Sequence, residues 1–101
     1  MKISKPHSFS ADDAAARLRA LTSYWDSRYG TKTTWTGYAA RIVGKVKGIK
    51  FDGKFNVAES TLDADVKVGF LAERMGGKGY VEHKLEQYLD PNSPIESLKS
   101  S

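Results

Sequence analysis

The chain has 101 residues, 40 % of them hydrophobic, and a formal net charge of +4; this size holds one domain with one modest core. It has no cysteine, which excludes a disulfide framework and thiol chemistry. No apolar run approaches the roughly 20 residues of a membrane span, and the opening Met1 to His7 lacks a signal peptide's apolar core, so a cytoplasmic protein is the default expectation.

Lys2 to Lys5 reads as an edge strand that stops at Pro6, because proline cannot donate to a ladder. Ser10 then opens a helix over 11–29. Its hydroxyl can accept from the Asp13 N–H, Asp12 and Asp13 suit the positive helix end, and Phe9 with Ala14 can form a hydrophobic staple. Ala14, Leu18, Leu21, Trp25 and Tyr29 make one apolar stripe, with Arg17, Arg19, Ser23, Asp26 and Ser27 falling mostly outside it. Gly30 is placed to close the helix in the left-handed conformation.

Residues 33–70 read as consecutive antiparallel hairpins. Thr33 to Thr36 is rich in β-formers, Gly37 gives a turn, and 39–46 alternates with Ala40, Ile42 and Val46 on one side. Gly44 on that side leaves room for a bulge or a bulky neighbour. Lys47-Gly48 and Glu59-Ser60 supply the next turns. The stretches 49–57 and 62–70 alternate strictly: Ile49, Phe51, Phe55 and Val57 oppose Lys50, Asp52, Lys54 and Asn56, and Leu62, Ala64, Val66, Val68 and Phe70 oppose Asp63, Asp65 and Lys67. That period means a sheet with one buried and one wet face.

Three glycines within Gly76 to Gly79 read as a connection; a phosphate cradle would need a following Lys-Ser or Lys-Thr. A second helix follows over 80–89, with Val81, Leu85, Tyr88 and Leu89 as its stripe and Pro91 as its stop. The order β-α-β-β-β-β-α predicts an α+β domain over 1–89, an antiparallel four- to five-stranded curved sheet with both helices on one face. Residues 90–101, rich in Ser, Pro and Asn, read as a disordered tail.

No nucleophile elbow, phosphate-binding loop or zinc-protease helix is present, and the reading is non-enzymatic, without cofactor or metal. His7 and His83 lie on different elements with no ligand-spaced partner. His83 shares a wet helical face with Glu82 and Glu86, and His7 beside Pro6 is expected to cap or bond backbone. Asp63 and Asp65 point to solvent, where pairing with Lys50, Lys54 or Arg41 is expected.

Two constellations remain. Trp25, Trp35, Phe51, Phe55 and Phe70, with Tyr38, either build the core or line a ligand cavity. Between Lys32 and Lys54 six basic residues face one acid, Asp52. Arg41, Lys45, Lys47, Lys50 and Lys54 from that run either protect a sheet edge or meet an anionic partner. The aromatics alternate to the opposite face, which argues against single-stranded nucleic acid.

Pro6-His7 before the long helix, Tyr29-Gly30 at its end, Trp35-Thr36-Gly37, Gly53-Lys54-Phe55-Asn56-Val57 and the run Val66 to Leu71 before a closing amphipathic helix come in a telling order. In that order, over 2–90, the chain resembles the small polyhydroxyalkanoic acid system proteins, also described as granule-region proteins. The resemblance implies a role in storing polyhydroxyalkanoate, a polyester reserve kept as cytoplasmic granules, and as partner the granule or its coat proteins. It implies no reaction and no catalytic residue. The layout is also similar to an abbreviated helix-grip fold, which would hold an apolar or acyl ligand between sheet and helices. The sequence leaves the oligomeric state open.

Overall fold

Seven elements follow one another in a computed structural model that describes residues 2–46, 48–68 and 76–94: β1 (Lys2–Pro6), α1 (Ala11–Tyr29), β2 (Lys32–Thr36), β3 (Ala39–Val46), β4 (Ile49–Ala58), β5 (Thr61–Lys67) and α2 (Lys78–Tyr88). The strands form one antiparallel sheet in the order β1-β5-β4-β3-β2. The fold is therefore α+β, with the N-terminal strand as the fifth and an edge.

Local chemistry explains each boundary. Ser10 Oγ accepts from Asp13 N at 3.2 Å, and Gly30 ends α1 with φ +72°. The β2–β3 connection has two residues, and Gly37 takes φ +59° at the first of them, the backbone that lets a two-residue loop follow the strands' twist. Gly44 is needed for closeness: a Cβ there would meet Thr31 Cγ2 at 2.7 Å and Thr31 Cα at 3.0 Å. The bulky neighbour expected beside it is Thr31.

The register sets which side chains share a face. Phe55 sits between Ala64 and Ala40, Val57 opposite Leu62, and Gly53 between Val66 and Ile42. These side chains face the helices and are buried, as are Leu18, Leu21 and Trp25 of α1 and Val81, Leu85 and Tyr88 of α2. One core cluster joins both helices to the sheet, giving two layers.

Three readings change. The helix expected from residue 80 begins at Lys78, so Gly79 lies inside it; burial of Val81, Leu85 and Tyr88 outweighs the ~1 kcal/mol that a helical glycine costs. The last strand ends at Lys67, with Gly69, Phe70 and the rest of 69–75 outside the described residues. Arg17 is 8 % exposed instead of wet. Its Nη1 donates to the carbonyls of Tyr88 and Asp90, each at 3.1 Å, and its guanidinium carbon lies 4.3 Å from the centre of the Phe9 ring. Asp90 in turn accepts from the backbone of Ser93 and, through Oδ1, from that of Asn92, so the expected tail starts with a closed turn. Residues 95–101 lie outside the description.

Candidate functional site: the open face of the sheet

The helices cover one face of the sheet, and the strand periodicity sends the other set of side chains to water. Along the hydrogen-bonding direction one row reads Lys2, Asp65, Lys54, Arg41, Thr34, and the next Lys67, Asp52, Val43, Lys32. Nearer the β3–β4 turn, Lys45 stands directly opposite Lys50. Among the described residues this face carries seven cations (Lys2, Lys32, Arg41, Lys45, Lys50, Lys54, Lys67) against Asp52, Asp63 and Asp65. Its net of +4 equals the formal charge of the whole chain, so the remainder of the molecule is balanced.

The charges are unevenly shared across the face. Arg41 grips Asp52 diagonally, with Nε at 3.2 Å from Oδ1 and Nη2 at 2.9 Å from Oδ2. The hydrogen bonds from Arg41 hold the Asp52 carboxyl below the usual range, against the opposing effect of desolvation. Asp65 faces Lys54 in register, and Asp63 faces Asn56. Arg41 was thus expected to find Asp63 or Asp65 and instead takes Asp52, one strand nearer. Lys45 and Lys50 sit side by side, and no ion pair to either occurs among the described residues. Like charges directly opposite on a sheet are destabilising. An open groove of about 550 Å³ runs here, lined in part by Val43, Lys45, Lys50, Phe51 and Lys67. Lys47 lies outside the described residues.

Of the aromatic constellation, Trp25 and Phe55 belong to the core cluster and Trp35 packs against it. Trp25 and Phe55 stack on each other, with centroids 6.3 Å apart and planes at 25°. Trp35 is half-buried on β2, donates from Nε1 to Thr22 Oγ1 at 3.2 Å, and carries the Arg19 guanidinium 5.0 Å over its ring. Phe51 is half-buried at the hairpin end. Phe70 lies outside the description. Tyr38 is 46 % exposed and donates its hydroxyl to Asp12 at the start of α1.

A hydrogen-bonded trio was not foreseen from the sequence: Trp25 Nε1 donates to Tyr80 Oη at 3.2 Å, and Tyr29 Oη lies 3.2 Å from the same oxygen. Spacing on α1 (Trp25 and Tyr29, one turn apart) was its sole signal. Burial, then the bond with Tyr29, pushes the Tyr80 hydroxyl up to about 12. A folded-state value above the unfolded one near 10 means that Tyr80 favours folding fully below pH 10 and ceases to as the pH climbs toward 12. In an alkaline titration followed by phenolate absorbance, one late step near pH 12 is expected, and Tyr80→Phe removes it.

Smaller contacts brace the face from behind. His7 accepts from Phe9 N at Nδ1 and lies 3.0 Å from the Ala58 carbonyl at Nε2, the backbone role expected of it. Lys5 Nζ meets Glu86 Oε1 at 2.8 Å and ties the β1 edge to α2.

The residue pattern matches one family model, described as "Putative polyhydroxyalkanoic acid system protein", over residues 1–92. No curated protein and no solved structure matches the chain. The match takes in every strand, both helices and the open cationic face. On that coverage the chain belongs to the polyhydroxyalkanoic acid system family.

Proposed function

We propose that this protein is a non-enzymatic accessory factor of polyhydroxyalkanoate storage that acts by surface contact, its open sheet face meeting the acidic protein coat of a granule. The observation that carries this reading is the placement of the chain's whole net charge, +4, on a face that neither helix covers. A neutral polyester offers such a face little beyond ester carbonyls, whereas carboxylates on a coat protein complement it. The carboxylates Asp52, Asp63 and Asp65 interrupt the cations, which suits a protein surface of mixed charge better than a uniform polyanion. The stacking of Trp25 on Phe55 and the burial of both rings favour this face over a ligand space between sheet and helices.

Co-sedimentation with isolated granules tests the reading. At low salt the protein is expected in the pellet, and it is expected to leave as the Debye length shrinks from ~10 Å at 0.1 M toward ~3 Å at 1 M. A Lys50→Glu, Lys67→Glu double variant, altered only on the wet face, is expected to lose most of the bound fraction. A chain that stays in the supernatant at every salt concentration defeats the proposal.

A further inference from the structure

The two edges of the sheet are guarded differently. β1 is closed by Pro6, carries Lys2 and Lys5, and is tied by Lys5 to Glu86 of α2. Those are the devices that keep an edge from pairing. β2 has the sequence Lys32-Thr33-Thr34-Trp35-Thr36, with one charge and no proline, and among the described residues no strand lies on its outer side.

The direction of its backbone groups follows from the turn. Thr36 and Ala39 flank a two-residue loop, so they exchange both hydrogen bonds, and the pairs then alternate. Thr34 and Lys32 point their N–H and C=O groups at β3, while those of Thr33 and Trp35 point outward. We infer that β2 pairs with β2 of a second copy, antiparallel about a twofold axis through Thr34.

This register is self-complementary. Each Thr33 exchanges both backbone bonds with Trp35 of the second copy, using every outward group of the two residues. On the wet face Lys32 falls opposite threonine and Thr34 opposite itself, so no like charges meet. On the helix side the axis brings together two groups that one copy holds apart. Arg19 lies over Trp35, and Asp26 accepts from Thr33 Oγ1 at 2.9 Å. With Trp35 opposite Thr33 of the second copy, Arg19 of one chain faces Asp26 of the other on both sides of the axis.

A twofold perpendicular to the sheet keeps both helix layers on one side and both cationic faces on the other. One face of five strands spans roughly 20 × 25 Å, or about 500 Å². That is short of the ~800 Å² per partner of a stable protein contact. Two coplanar faces exceed it, so the dimer supplies the bivalent surface that granule attachment would use.

The absence of native cysteine makes the test clean. Thr34→Cys brings two thiols together at the axis, at a close pair whose Cα separation of about 4.5 Å suits a disulfide. Thr36→Cys, on the same face, meets Lys32 of the second copy instead. Under mild oxidant the first variant is expected to form covalent dimer at least about tenfold faster than the second. By sedimentation equilibrium the unaltered chain is expected to dimerise, and Thr34→Lys to weaken the dimer about tenfold by setting two lysines face to face, with an unchanged circular dichroism spectrum. A chain that remains monomeric at ~0.5 mM overturns the inference. So does equal cross-linking of the two cysteine variants, or a dimer indifferent to Thr34→Lys. These readouts need no granule, so their failure is separate from that of the storage role.

Discussion

Phe55→Ala is expected to lower the unfolding free energy by about 3–5 kcal/mol, the usual cost of truncating a buried phenylalanine. Phe55 is 1 % exposed, sits at the middle of β4 between Ala64 and Ala40, and stacks on Trp25 of α1. Its flanking partners are alanines, which cannot reach into the space that its ring vacates. Trp25 would lose its stacking surface while its indole N–H stays committed to Tyr80, so collapse into the cavity is hindered from both layers. Small domains have about 5–15 kcal/mol in total, and each kcal/mol moves the melting temperature of a chain this size by about 4–8 °C. A fall of well over 10 °C is expected, or outright unfolding. Urea denaturation checks it, with Phe51→Ala as the internal standard. Phe51 lies on the same strand but is half-buried at the hairpin end, and its truncation is expected to cost about half as much or less. Equal losses at the two positions would mean that the sheet and α1 do not share the core described above.

The fold was legible where local signals agreed. Ser10, the stripe through Leu18, Leu21 and Trp25, and Gly30 all point to one helix, and α1 has those limits. Strict alternation in β4 and β5 named the buried side chains Phe55, Val57, Leu62, Ala64 and Val66, but it also put Ile49 and Phe51 on that side, and near the β3–β4 turn Ile49 is exposed and Phe51 half-buried. What stayed hidden depends on residues distant in sequence. The diagonal grip of Arg41 on Asp52 needs the β3–β4 register, which is set by turn lengths and not by alternation. The trio of Trp25, Tyr29 and Tyr80 joins residues more than fifty positions apart. Gly79 reads as part of a connection by propensity, yet it falls in the first turn of α2, which begins at Lys78. The candidate site shows the same division. Composition gives its cations, the strand period gives the face they share, and the register alone sets Lys45 against Lys50.

Arg17→Met is expected to cost about 2–4 kcal/mol, from two charge-assisted hydrogen bonds lost and two acceptors left without that donor. Periodicity set Arg17 beside the apolar stripe of α1, where a long side chain normally carries its charge to water. Here the guanidinium turns inward and serves as the closing cap of α2. The carbonyls of a helix's last turn have no partner within the helix and mark its negative end. Arg17 donates to the Tyr88 carbonyl in that turn and to the Asp90 carbonyl beyond it, across 71 and 73 residues of sequence. The Phe9 ring under the guanidinium orients it through a cation–π contact. Methionine keeps most of the apolar stem and removes the fork, so the loss reports the polar contacts and little of the packing. Arg17→Lys keeps the charge and loses the planar fork, and an intermediate cost is expected. Amide hydrogen exchange separates capping from general destabilisation: in Arg17→Met at denaturant-free pH 7 the last turn of α2 is expected to lose more protection than β4, whose exchange rises only with the fall in global stability. A neutral Arg17→Met, or exchange that rises evenly over both layers, would show that α2 is held by the burial of Val81, Leu85 and Tyr88 alone.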